Sequence, residues 1–418
     1  MKIVIIGNSV ACVNAIEAIR EKDKISQIVV VSDEQSRAYS HPLLPNLVVG
    51  DISRSDERFY YRSRNFYEKN KVTTVLGKKV VGISSQNRYV KLENDEKIPY
   101  DKLIITAGGK PFIPKMEGTE LEGVHTLTNI KAADRLKKDL KNIKKCVVVG
   151  GGLIGSKIAE KLAKHGVKVT LVELMKRVLF PVLDDTGAEY IHKELKSLGV
   201  KLILGDSVVK LDGDKRVKKA VLSSGKSIDT DAVMVSVGVK PNLEFVSESG
   251  IETNKGIIVN DYMQTNIDTI YAAGDVTEAY DIVISQKRPI PILPLAARQG
   301  RIAGLNIEGE NVKYSGGFPT NSITIGKVSF ISMGIVDTDK LETLKIKKDG
   351  EYRKFIIDDN KLIGMILVGN IEKAGMFNWM IQNRFDVSWL KDTFLNSDFG
   401  WQYFSKAFRI LRFDRKIK

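Results

Sequence analysis

The sequence predicts an α/β fold: two parallel-sheet units, each opening on an apolar strand that runs into a glycine-rich turn, followed by a smaller α+β module. Three observations lead to it. Cys146–Gly155 reads as a strand entering Gly-x-Gly-x-x-Gly, and Met1–Cys12 repeats that arrangement in a degraded form. Far along the chain, Ile270–Val276 is a short apolar strand ending in Gly274-Asp275.

The second turn is the fuller of the two. Gly150 permits the tight bend, Gly152 lets the backbone approach a pyrophosphate, and Gly155 lets helix and strand pack closely. Leu153 and Ile154 open the helix that follows, whose free N–H groups and positive dipole end favour phosphate. The next strand, Val167–Val172, delivers Glu173, an acceptor for a ribose 2′-hydroxyl that would repel a 2′-phosphate. The motif therefore predicts NADH rather than NADPH.

In the first turn Gly7 is kept, but Ser9 and Cys12 stand where the second and third glycines would be. Ser9 is small and can donate to phosphate, and Gly7, Ser9 and Ala11 are the candidate contacts. The strand Ile28–Val31 ends in Ser32-Asp33-Glu34, so a ribose falls to Asp33 or Glu34. Alone this segment fits a nucleotide site and a plain βαβ opening equally. The distant Gly274-Asp275 changes the balance, because in FAD-binding proteins such a strand lies beside the first βαβ unit and its acid meets the ribityl chain. Its companions are Pro294–Gly304, which contains Ala297, Thr106–Gly109, which contains Ala107 and Gly108, and Gly238–Asn242. Both units then read as Rossmann-like dinucleotide-binding domains. Residues 1–111 and 240–311 form an FAD domain, 112–239 an inserted NAD(H) domain, and 312–418 an α+β module. That module shows strands near Ser322–Ile325, Val328–Ile331, Lys354–Ile357 and Leu362–Val368, then a helix from about Ile371.

With these motifs the chain resembles the FAD- and NAD-dependent pyridine nucleotide–disulfide oxidoreductase superfamily over nearly its whole length. Within it, Ala38–Pro45, Asn321–Ile323 and Val368–Gly375 most resemble NADH:rubredoxin reductases and the FAD–NAD oxidoreductases associated with carbon monoxide dehydrogenase. The resemblance implies FAD and NADH as cofactors, a homodimer through the C-terminal module, and Ser40, His41 and Pro42 beside the flavin. Relatives commonly carry Arg or Lys where His41 stands, Asp where Asn370 stands and Gly where Cys12 stands. An acid on the helix after the second turn commonly meets the nicotinamide side in relatives, which makes Glu160 a candidate catalytic residue together with His41.

The destination of the electrons is narrowed by cysteine usage. Disulfide reductases of the superfamily carry a redox pair, and CoA-disulfide reductases and peroxidases one cysteine near the flavin. This chain has only Cys12 and Cys146, both in structural contexts, and no Cys-x-x-Cys for an iron–sulfur or zinc site. No metal is expected. His125, His165 and His192 read as bystanders.

At 418 residues, 43% hydrophobic and 28% charged, the chain is long enough for three domains, and it has no apolar run that spans a membrane. The apolar stretch before Cys12 is too short for a secretory leader, so the expected location is cytoplasmic. The formal net charge is +14. Two basic-aromatic clusters stand out: Arg54, Arg58, Arg62 and Arg64 among Phe59, Tyr60, Tyr61, Phe66 and Tyr67, and the C-terminal segment Trp401–Lys418. No nucleic-acid fold accompanies them, so nucleic acid is not the expected partner. The expected activity is a flavoprotein that takes hydride from NADH and passes electrons to an acidic carrier such as rubredoxin or ferredoxin, steered by the basic surface. Two other readings stay open: an NADH oxidase using O₂, and a non-catalytic FAD- and NADH-binding subunit of a larger redox complex.

Overall fold

The computed structural model describes residues 1–348 and 350–405; the basic end of the C-terminal cluster, Lys406 to Lys418, lies outside the described residues. The chain opens with β1 (Lys2–Ile6), α1 (Val10–Lys22) and β2 (Gln27–Ser32). Strands covered on both faces by helices need uninterrupted apolar runs, and Ile3, Val4, Ile5, Ile28 and Val30 are fully buried. Two short helices, α2 (Leu44–Val49) and α3 (Phe66–Lys69), lead to β3 (Val72–Leu76). An antiparallel flap of β4 (Val80–Ser84), β5 (Tyr89–Leu92) and β6 (Lys97–Pro99) precedes β7 (Lys102–Ile105) and β8 (Gly109–Pro111).

The second unit holds β9 (Val124–His125), α4 (Ile130–Asp139), β10 (Lys145–Val149), α5 (Leu153–Lys164), β11 (Lys168–Glu173), α6 (Asp185–Ser197) and β12 (Lys201–Leu204). A small antiparallel sheet of β13 (Val208–Gly213), β14 (Val217–Leu222) and β15 (Ser227–Asp229) follows, then β16 (Ala232–Val235). The parallel sheet of this unit runs β12-β11-β10-β16-β9. On leaving it, β17 (Val239–Pro241) pairs antiparallel with β8, Lys240 opposite Lys110, so entry and exit form one two-stranded ribbon.

The chain then passes β18 (Ile257–Ile258) and adds β19 (Ile270–Ala272) beside β7, which completes the first sheet in the order β19-β7-β1-β2-β3. After β20 (Thr277–Asp281) and β21 (Gln286–Arg288), α7 (Leu293–Asn306) packs against α1. The two parallel sheets share a plan down to the exit of their central strands. Gly7 N–H donates to the Val31 carbonyl at 2.8 Å, and Gly150 N–H to the Val172 carbonyl at 2.9 Å.

The C-terminal module is an antiparallel sheet of β22 (Thr320–Ile325), β23 (Val328–Gly334), β24 (Glu342–Lys348), β25 (Glu351–Asp358) and β26 (Lys361–Val368), in the order β22-β23-β26-β25-β24, with α8 (Ala374–Gln382). The edge strand β24 was not among the expected elements. Its lysines suit an exposed edge, where charge discourages further pairing, and in sequence they imitate a loop. Helix α8 starts at Ala374 rather than near Ile371, because the Asn370 side chain accepts from Glu372 N–H at 3.0 Å and Lys373 sits at φ 64°, a turn that delays the helix. One face of the sheet shares a core with α5 and α6, joining Phe330, Tyr352 and Ile366 to Ile158, Leu162 and Ile191. The other face carries Phe355, Phe377, Phe394 and Phe399. Among the described residues no helix is long and apolar enough to cross a membrane.

Candidate functional site

Each glycine turn forms an open cradle at the C-terminal end of its central strand. At Gly7, φ is +96° and a Cβ would stand 2.3 Å from the Thr106 carbonyl oxygen, so only glycine fits. Ser9 caps α1 in extended geometry without a side-chain bond to the helix, which leaves its hydroxyl and the first N–H groups available to an anion. Ala11 packs beneath the distant Gly274, whose Cβ position lies 3.4 Å from the Ala11 Cβ. Ala107 and Gly108 follow β7, and Gly108 at φ +61° faces open space. Ala297 is half-buried on α7. Asp33 is exposed at the end of β2, with no hydrogen bond or ion pair among the described residues. Glu34 is engaged elsewhere, accepting the Tyr39 hydroxyl at 2.7 Å.

In the second cradle a Cβ on Gly155 would come within 1.9 Å of the Gly150 carbonyl oxygen, whereas Gly152 has nothing within 4 Å. One glycine is there for packing and the other for approach. Ile154 is exposed beside them. Glu173 turns its carboxylate into the cradle, one oxygen accepting Gly151 N–H at 2.5 Å and the other Met175 N–H at 2.8 Å. Gly238, at φ +111° with nothing within 4 Å, ends the loop after β16. The Ser236 hydroxyl in that loop is buried and unpartnered next to Gly150.

Helix α2 joins the cradles, packing on α4 and α5. Lys161 pairs with Asp51 at 2.5 Å across this junction, and Ile130 N–H donates to the Tyr39 hydroxyl at 3.2 Å. Just ahead of α2 lie Ser40, His41 and Pro42. His41 stacks on Tyr39 with ring centroids 4.5 Å apart, and burial lowers its pKa to about 4, so the ring is neutral at physiological pH. Burial pushes the Asp275 carboxyl up to about 6. Gln299, buried on α7, fixes the turn by accepting Gly274 N–H at 2.8 Å.

Glu160 is not brought to this cleft. It is 2% exposed on the side of α5 that meets the C-terminal sheet, between Lys157 and Lys164 at 2.7 Å each, and Lys157 also donates to the Thr324 carbonyl. Burial would raise its pKa, but the two ammonium groups hold it below the usual range. The resemblance pointed to an acid on this helix without fixing which side of α5 carries it. The first basic-aromatic cluster is also structural in its charges. Arg54, Arg58, Arg62 and Arg64 pair with Asp134, Asp56, Glu17 and Glu57. Cys12 and Cys146 are free and buried in different cores, and burial raises both thiols, Cys146 to about 12. Tyr61, Ser236 and Gln299 face the cradles and were not among the expected contacts. All three lie within quoted motifs or one to two residues from them, but nothing local marks which side chain points inward.

A family model for pyridine nucleotide-disulphide oxidoreductases matches residues 1–300, and one for the rubredoxin NAD+ reductase C-terminal domain matches residues 319–385. The chain is 31% identical over 393 residues to the NAD(P)H nitrite reductase of Bacillus subtilis, covering 93% of this chain and 48% of that enzyme, so it spans about half of that relative's length. It is 31% identical over 400 residues to the NADH-dependent phenylglyoxylate dehydrogenase subunit epsilon of Aromatoleum evansii, covering 94% of each. To the NADH-rubredoxin oxidoreductase of Clostridium acetobutylicum it is 28% identical over 371 residues, covering 88% of this chain and 91% of that one. Among solved structures, the NAD-dependent persulfide reductase from A. fulgidus superposes with a TM-score of 0.86 at 28% identity, covering 94% of this chain and 79% of that one.

Proposed function

The chain belongs to the pyridine nucleotide-disulphide oxidoreductase family, and from that premise we propose a cytoplasmic NADH-dependent flavoprotein that passes electrons to a small acidic carrier protein of the rubredoxin or ferredoxin kind. It binds FAD and NAD(H), as its family does. FAD supplies two-electron acceptance from a hydride and release of the electrons one at a time. We assign its binding to residues 1–111 and 240–311, NAD(H) to residues 112–239, and self-association as a homodimer to residues 312–418.

The observation that carries the reading is the pair of open cradles joined by α2, with both thiols buried away in separate cores. A thiol that burial keeps protonated cannot act as a nucleophile, so electrons leave the protein instead of resting on a disulfide. In the first cradle Gly7, Ser9 and Ala11 receive a pyrophosphate, Asp33 a ribose, and Asp275 the ribityl hydroxyls. In the second, Gly150, Gly152 and the first N–H groups of α5 hold the pyrophosphate, and Glu173 selects the unphosphorylated ribose. His41, being neutral, adds no fixed positive charge to this part of the cleft and offers one hydrogen-bond donor and one acceptor. The acidic partner follows from the net charge of +14, which accelerates encounter more than it tightens binding.

The test is anaerobic mixing of the flavin-loaded protein with NADH and, separately, NADPH, read as loss of the visible flavin band. Rubredoxin or ferredoxin is then added at rising salt. Fast bleaching by NADH and recovery with a carrier at a rate that falls with salt are expected. Bleaching that only O₂ reverses would replace the carrier with an oxidase, and a band that NADH leaves untouched would end the enzymatic reading.

A further inference from the structure

Among the described residues, Tyr61 is one of six buried polar side chains with an unpartnered atom, and the one that lies beside Ser40 and His41. Its hydroxyl oxygen is shielded from solvent and makes no well-formed hydrogen bond among the described residues, with only the Ser40 side chain and the His41 amide close enough to interact weakly with it. Folded proteins rarely leave such a group unpaired, so an ordered water or a bound ligand is expected to complete it. The backbone holds it in place. Residues 38–41 run antiparallel to residues 59–61, with Ser40 N–H donating to the Phe59 carbonyl at 2.8 Å and Tyr61 N–H to the Ala38 carbonyl at 3.1 Å. Arg62, clamped to Glu17 by two 2.6 Å bonds, also donates to the Tyr61 carbonyl at 2.8 Å. The phenol is thereby fixed beside Ser40 and the amide of His41, and near enough to Asp275 to feel its charge.

Burial, with Asp275 adding to it, pushes the phenol up to about 12, so it stays a donor at every working pH. Asp275, when ionised, can only accept. A group gripped by both must itself donate and accept, which is the property of an alcohol hydroxyl and not of a ring carbonyl or a phosphate oxygen. We propose that Tyr61 is a flavin-binding residue whose phenol donates a hydrogen bond to a ribityl hydroxyl of FAD while Asp275 accepts from that same hydroxyl. This rests on FAD occupying the first cradle. The phenol adds orientation along the ribityl chain, and so aims the ring system toward the second cradle.

The experiment uses the full chain stripped of flavin and titrated with FAD, read by quenching of flavin fluorescence, together with the melting temperature of the flavin-free protein. For Tyr61→Phe the FAD dissociation constant is expected to rise about tenfold. The flavin-free melting temperature is expected to stay level or to rise, because a partnerless hydroxyl has been removed. Combining it with Asp275→Asn should weaken FAD by less than the product of the single changes, since both side chains act on one hydroxyl. Equal FAD affinity in wild type and Tyr61→Phe overturns the assignment, and so does a lower flavin-free melting temperature, which would mean that the hydroxyl serves the fold. A wild-type chain that takes up no FAD overturns the functional reading along with it.

Discussion

Glu173 carries two tasks with one carboxylate, and they separate on mutation. It accepts Gly151 N–H at 2.5 Å, which shapes the turn, and on the proposed reading it presents negative charge where a 2′-phosphate would sit. Glu173→Ala should raise the KM for NADH roughly tenfold and lift NADPH turnover, so that the preference ratio collapses from both sides; steady-state rates with each coenzyme check it. His41 and Asp275 form a second residue-scale pair with opposite signs. Asp275 has its folded pKa raised to about 6, so it favours the fold below pH 4 and loses that contribution as pH rises through 6. His41 is lowered to about 4, so its contribution is present above pH 6.5 and lost as pH falls toward 4. Each shift is worth about 3 kcal/mol, and the two offset each other in the wild type. His41→Gln should expose stability that falls between pH 4 and 6, and Asp275→Asn stability that rises between pH 4 and 6.5. Denaturant midpoints of the flavin-free protein at pH 4.5 and 6.5 read both, and slopes of the same sign would refute the pairing. The spacing of Glu173 from its turn was legible in the sequence, because strand length fixes it. The side of α5 on which Glu160 falls was not, because Lys157, Lys164 and β22 decide it.

At the scale of elements, close approach in the two units has different sources. In the second it is Gly155 against Gly150, and Gly155→Ala forces α5 off its strand, since the new methyl would meet a carbonyl oxygen at 1.9 Å. The expected cost is about 1–3 kcal/mol, with NADH affinity falling more steeply than FAD affinity; separate titrations of the two nucleotides check the direction. In the first unit Cys12 fills the position of the missing glycine, and the tight helix contact is made from the other side. Gly300 and Gly304 on α7 would place a Cβ 2.1 Å from the Ala11 carbonyl oxygen and 2.5 Å from that of Ala15. A sequence read only around residues 7–12 sees a degraded motif, whereas the close α1–α7 crossing is specified by glycines nearly 300 residues away. Strands and glycine turns could be anticipated because their requirements are local, a run of branched residues or a positive φ. Strand β24 could not, because its lysines suit an edge position that only the finished sheet defines.

For the whole molecule, the least anticipated feature is how firmly the C-terminal sheet is tied to the second parallel unit. Asp184 caps α6 through Gly187 N–H at 2.9 Å, and its other oxygen receives the Tyr352 hydroxyl at 2.6 Å and the Lys354 ammonium at 3.0 Å, all from β25. Tyr190 reaches the carbonyls of Lys348 and Glu351, and Arg177 pairs with Asp337. These links close over a core to which both units contribute. Sequence patterning assigns each side chain to a face of its own element, but it cannot say which element lies opposite. Such a seam makes one cooperative body out of two units that composition would allow to fold separately. Breaking one partner of a buried ion pair costs more than the pair is worth, because the remaining charge stays out of water. Lys354→Met should therefore cost about 3 kcal/mol and lower the melting temperature by several degrees. The variant should still unfold in one transition, with the second unit and the C-terminal module melting together. Calorimetry of the wild type in which the second unit and the C-terminal module melt in separate transitions would mean that the seam is a contact and not a shared core.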